Sequence, residues 1–142
     1  LGRPDYYAVI RQKLGPALTQ ELANSKEMVA LFSLAYNSPA LIGPGISAAL
    51  RNGEREKAWY EIRFGSNRKR HRGLQNRRDH EAEMFGLANT LPSDAERAAV
   101  GRLLEDKRDF MSRYLTEVGR EAGEIDTVLA EVANTATTTR LA

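Results

Sequence analysis

Nowhere in this chain does an alternating apolar and polar run of useful length occur, whereas apolar residues recur three and four positions apart along most of it. Alternation is the period of a half-buried strand, and the three-to-four spacing is that of a helix face. The pattern therefore directs the chain to an all-α fold. Its 142 residues are enough for one hydrophobic core. The longest apolar stretch, Met28 to Tyr36, is far too short to span a bilayer.

Helix starts and stops divide the chain into about seven helices. Arg3-Pro4-Asp5 precedes Tyr6, Val9, Ile10 and Leu14, a helix that Gly15-Pro16 stops, and a second short helix runs from Pro16 to Ala23. Asn24 with Glu27 reads as a capping pair for the segment Met28 to Tyr36. That segment is apolar nearly all round, which assigns it to the centre of the core. The turn formers of Asn37 to Gly45 bend the chain before a short helix from Ile46 to Arg51, closed by Asn52-Gly53.

Glu54 to Phe64 carries Ala58, Trp59 and Ile62 at helical spacing, and the polar run Gly65 to Arg72 reads as an exposed loop. Gly73 to Leu87 is the next helix. Ser93 with Glu96 forms a capping box for a long helix with Ala99, Leu103, Phe110, Tyr114 and Val118 on its apolar side. Gly119 to Gly123 interrupts it, and Ile125, Val128, Leu129 and Val132 mark one more amphipathic helix. Residues 1–89 thus form a helical lobe, residues 90–133 an extension packed on it or an appended hairpin, and residues 134–142, rich in Thr and Ala, a tail that frays.

Composition excludes several chemistries. Without cysteine there is neither a disulfide nor a thiolate zinc site, so the redox compartment stays open. The chain opens on Leu1 with no charged and apolar leader, as a piece of a longer protein would. The 21 basic and 19 acidic residues nearly balance, but six cations (Arg68, Lys69, Arg70, Arg72, Arg77, Arg78) crowd the stretch from Arg68 to Arg78. A basic loop running into a helix is one route to a nucleic-acid backbone, although no base-reading motif accompanies it. His71 and His80 lack the companions of a metal site, and no motif implies a cofactor.

The most specific local signal lies in two segments. One is Ser33-Leu34-Ala35-Tyr36-Asn37, and the other opens Gly73-Leu74-Gln75-Asn76-Arg77-Arg78-Asp79-His80-Glu81, with Ala58 to Arg63 between them. Together they resemble the carboxy-terminal lobe of phage-type lysozymes and pesticin-like muramidases, in which an apolar helix ends in an aromatic-Asn pair and a later helix opens Gly-Leu-x-x-Arg-Arg-x-x-Glu. The resemblance covers roughly residues 26 to 87, with a weaker echo to Tyr114. It implies a lysozyme-like domain that lines the groove for a peptidoglycan glycan strand, in a bacterial periplasm or cell wall, secreted or phage-encoded. It also implies Tyr36 and Asn37 at the edge of the cleft and Ser47 facing the sugar chain.

In that family the acid catalyst is a glutamate in an amino-terminal lobe, followed by a Gly-rich hairpin of Thr-Ile-Gly type; this sequence has no such stretch. An upstream lobe is therefore the implied partner, or else the scaffold serves as an inactive binding or assembly module. No catalytic residue is assigned. Glu81 lies within one turn of Arg77 and Arg78, so the three read as a structural ion pair, and the adjacent cations are expected to lower the carboxyl pKa. Glu54, Glu56 and Glu61, around a helix start, read as solvated. Trp59 reads as a core anchor, ahead of a ring stacked on sugar.

Overall fold

A computed structural model describes residues 5–67, 72–87, 93–120 and Thr127. Among them are seven α-helices and no strand. They are α1 (Tyr6–Leu14), α2 (Pro16–Leu22), α3 (Lys26–Asn37), α4 (Pro44–Arg51), α5 (Arg55–Tyr60), α6 (Arg72–Phe85) and α7 (Asp94–Glu117). A 3-10 turn, Pro39–Leu41, precedes α4, and a π-helical segment, Glu61–Gly65, continues α5.

Side-chain caps explain where several helices begin. Asp5 Oδ1 accepts from the Ala8 amide at 3.0 Å, and Ser93 Oγ from the Glu96 amide at 3.1 Å. Each satisfies a donor that the first helical turn leaves unpaired. At α3 the capping residue is Ser25 and not Asn24: its hydroxyl accepts from the Met28 amide at 3.3 Å while donating to Leu22 O at 2.7 Å. The cap thus also fastens the end of α2. Gly15, at φ 90°, ends α1 in a conformation that L side chains rarely adopt.

One apolar cluster runs through the domain. From α3 it takes Met28, Ala30, Leu31, Leu34 and Ala35, which pack most extensively on α6 and α1. Val29 and Tyr36 of the same helix are exposed, so α3 is amphipathic after all and its outer face meets solvent. Val100, Leu103, Leu104, Met111, Tyr114, Leu115 and Val118 bring α7 into the same cluster. Its buried stripe lies slightly around from the one expected, since Phe110 is at the exposed edge. Of the helix expected at Ile125 to Val132, all but Thr127 lies outside the described residues, as do His71, the tail and half of the basic stretch (Arg68, Lys69, Arg70).

The segment Glu54 to Phe64 departs from a single α-helix. After Tyr60 it widens into the π turn, and Gln75 Nε2 of α6 donates to the Arg63 carbonyl at 3.0 Å. A side chain from another helix thus takes a carbonyl in this turn. Gln75 Oε1 accepts from Asn67 Nδ2 at 3.1 Å and from the Tyr114 hydroxyl, tying the π turn, α6 and α7 together. Asn67 is consequently buried, although the run Gly65 to Arg72 reads as exposed loop.

Candidate functional site

The two motif segments meet along the α3–α6 contact. Ser33 Oγ donates to Glu81 Oε2 at 2.6 Å, and Asn37 Nδ2 reaches the same oxygen at 3.5 Å while donating to Ser33 O at 2.8 Å. Arg78 Nη1 stands 2.9 Å from Glu81 Oε1, with both side chains almost wholly covered. That contact is an ion pair without hydrogen-bond alignment, and Arg78 Nε is buried without a hydrogen-bond partner. Arg77 is exposed and donates to Asn37 Oδ1, so it joins the network through an amide and not through the carboxylate.

Burial decides the charge balance of this network. Loss of hydration raises the Glu81 carboxyl above its ordinary value, against the opposing pull of the Ser33 hydroxyl and of Arg78 and Arg77. The expectation from neighbouring cations alone has the opposite sign, because the sequence does not show that the carboxylate is sealed from water. Burial likewise lowers Arg78, although Glu81 opposes it. Asp79, one residue from Arg78, pairs with Arg120 at 3.0 Å and accepts from Gln75 at 2.7 Å.

A second ionic knot went unread in the sequence. Arg55 at the start of α5 donates to the carbonyls of Gly86 at 2.7 Å and Phe85 at 2.8 Å, pairs with Glu27 of α3, and lies over the Phe85 ring. It closes the C-terminal end of α6 in the way that cations satisfy final helical carbonyls. Only the spacing of a lone arginine, 31 residues from Gly86, was available to signal it.

The remaining sequence candidates are scattered. Tyr36 is 72% exposed and its ring packs on Tyr6 with centroids 5.7 Å apart. Ser47 is buried on α4. Trp59 is in the core, edge-on to Phe64 and under the Arg63 guanidinium. His80 is exposed, and among the described residues no group of His, Asp or Glu could hold a metal ion. Glu56, expected to be solvated, is 6% exposed.

The concavity with chemical promise lies beside the motif network. It is a groove of about 450 Å³ between the 3-10 turn, the start of α4, the π turn and α6, walled by Leu41, Pro44, Ile46 and Leu74. None of Tyr36, Asn37 and Ser47 lines it. Its ionisable side chain is Glu61, the first residue of the π turn. A second cleft, of about 500 Å³ between α5 and α7, shares Glu61 with the groove and includes Glu56, Tyr60 and Lys107.

Glu61 is seated by two glycines distant in sequence. A Cβ on Gly45 would stand 3.0 Å from the Glu61 carboxyl carbon, and one on Gly65 would stand 2.5 Å from Oε2. Any larger residue at either position displaces the carboxyl group. Among the described residues its carboxylate has neither a hydrogen bond nor an ion pair, in contrast to Glu81, Glu27 and Asp79. No family model matches this chain, and neither does any curated protein or solved structure.

An unengaged carboxylate between apolar walls is a hydrogen-bond acceptor for a ligand with hydroxyl or amide donors and an apolar face. Glu81 offers no such surface, since it is covered and already bonded. Arg78 is buried too, so it is withdrawn from the basic face that the stretch Arg68 to Arg78 presents in sequence. Among the described residues, no helix is long and apolar enough to cross a membrane.

Proposed function

We propose that this domain engages the glycan strand of peptidoglycan as the groove-lining lobe of a lysozyme-like muramidase. The observation that carries the reading is the groove at Glu61, where a free carboxylate is set among aliphatic side chains, the combination that suits the hydroxyl edges and C–H faces of pyranose rings. The motif resemblance supports it from the sequence side. The segments that carry the resemblance, residues 33–37 and 73–81, are in mutual contact through Ser33, Asn37 and Glu81.

In this reading the lobe forms a wall of the sugar channel and is not the proton donor. Glycoside hydrolysis needs a carboxylic acid beside the scissile oxygen. Glu81, whose carboxyl is raised by burial, is sealed against substrate by Ser33, Asn37 and Arg78. The lobe alone is expected to bind purified sacculi without releasing new reducing ends. Release that disappears on Glu61→Gln would make this lobe the catalyst and overturn that division of labour. The same covered Glu81 also suits an inactive binding or assembly module. Restoring activity by adding an upstream lobe separates the two, since an inactive module gains nothing from it.

A further inference from the structure

Glu61 differs from Glu81, Glu27 and Asp79 in having a seat but, among the described residues, no hydrogen-bond or ion-pair partner. Its carboxyl group occupies the space that Gly45 and Gly65 leave free, and Gly65 closes the π turn that Glu61 opens. Single π turns inside helices frequently mark functional positions. Here the turn is pinned at its middle by the Gln75 bond to the Arg63 carbonyl.

The groove walls decide what this acceptor selects. Among the described residues that line the groove, Ala40, Leu41, Pro44, Ile46 and Leu74 offer aliphatic surface, Ser66 and Asn67 add polar groups, and none is a cation. An anionic ligand placed there meets like charge in a partly dehydrated recess, which is the repulsive element that specificity needs. A hydroxyl or amide N–H instead makes a charge-assisted hydrogen bond, about twice as strong as one between neutral groups.

We infer that Glu61 is the specificity-determining acceptor of a saccharide subsite in this groove, taking hydrogen bonds from the hydroxyl or acetamido N–H groups of an uncharged sugar unit and turning away acidic sugars. The inference rests on the reading of the domain as a glycan-binding lobe and adds the residue and the ligand class. The aliphatic walls take the ring face and the acetyl methyl group.

Three trisaccharides differing in charge test it: chitotriose, its fully deacetylated cationic form, and trigalacturonate, each titrated into the isotopically labelled full chain and followed by amide chemical shifts. Chitotriose is expected to move the amides of Gly45, Ile46, Gly65 and Ser66, and trigalacturonate to leave them in place. Glu61→Ala is expected to weaken chitotriose by about tenfold or more, the loss of one hydrogen bond to a charged group. Gly65→Ala is expected to weaken it as well, since the added Cβ displaces the carboxyl group while Glu61 itself remains. The amide spectrum of each variant reports its folding in the same experiment.

Equal binding of trigalacturonate to the wild type overturns the inference, as do chitotriose shifts confined to other surfaces. Binding of the deacetylated trimer alone overturns it in favour of a cation site. Sedimentation with sacculi that Glu61→Ala leaves unchanged removes the subsite and keeps the glycan-binding reading. The absence of both oligosaccharide shifts and sedimentation overturns the inference and the glycan-binding reading together.

Discussion

Arg78 and Glu81 face each other inside the α3–α6 contact, and removing either strands the other in a place without water. Arg78→Met is expected to cost about 3–5 kcal/mol in urea unfolding, the usual penalty for an uncompensated buried charge; a loss below about 1 kcal/mol would show the pair to be solvated. The pH dependence follows from the raised Glu81 carboxyl. Its favourable contribution is complete below the unfolded value, near 4.5, and is lost as pH rises through the higher folded value. The stability of the wild type relative to Glu81→Gln should therefore fall as pH rises above 4.5, and a rise would mean that Arg78 outweighs burial. The association of Arg77, Arg78 and Glu81 is suggested by their spacing in the sequence, but the partners from α3 are not, because Ser33 and Asn37 lie 48 and 44 residues away from Glu81. Sequence distance also hides the seat of Glu61, whose two glycines come from different elements.

At the scale of elements, the helices were legible because periodicity and capping are local. Pro16 at the start of α2, Ser93 before α7 and Gly15 after α1 all act within a few residues of where they stand. Asn24 and Ser25 are both good capping residues, and what selects Ser25 is the second bond it makes to Leu22. Ser25→Ala should cost about 1 kcal/mol in chemical unfolding, whereas Asn24→Ala should cost little; the reverse order would put the cap back at Asn24. The π turn was not legible, since its cause is the Gln75 side chain arriving from α6 to take the Arg63 carbonyl. Tyr114→Phe removes one donor to Gln75 and leaves Asn67 in place, so a loss of about 1 kcal/mol is expected. A larger loss would mean that the three-way tie depends on the hydroxyl.

For the whole molecule, all-α character followed from apolar spacing, and a single core cluster extends from α1 into α7. The functional expectation rests on two motif segments. Their residues form the interior network, while the groove at Glu61 is lined from residues 40–46 and 61–67 with Leu74, and Tyr36, Asn37 and Ser47 do not line it. Charge made a second route, through the basic stretch, that burial of Arg78 narrows. The most direct measurement is sedimentation of the folded chain with purified peptidoglycan sacculi, compared with duplex DNA, at low and at high salt. Binding through the Glu61 groove predicts that the protein pellets with sacculi at both salt levels and that chitotriose releases it. Protein that stays in solution with sacculi, or that pellets only with DNA and only at low salt, would contradict the account.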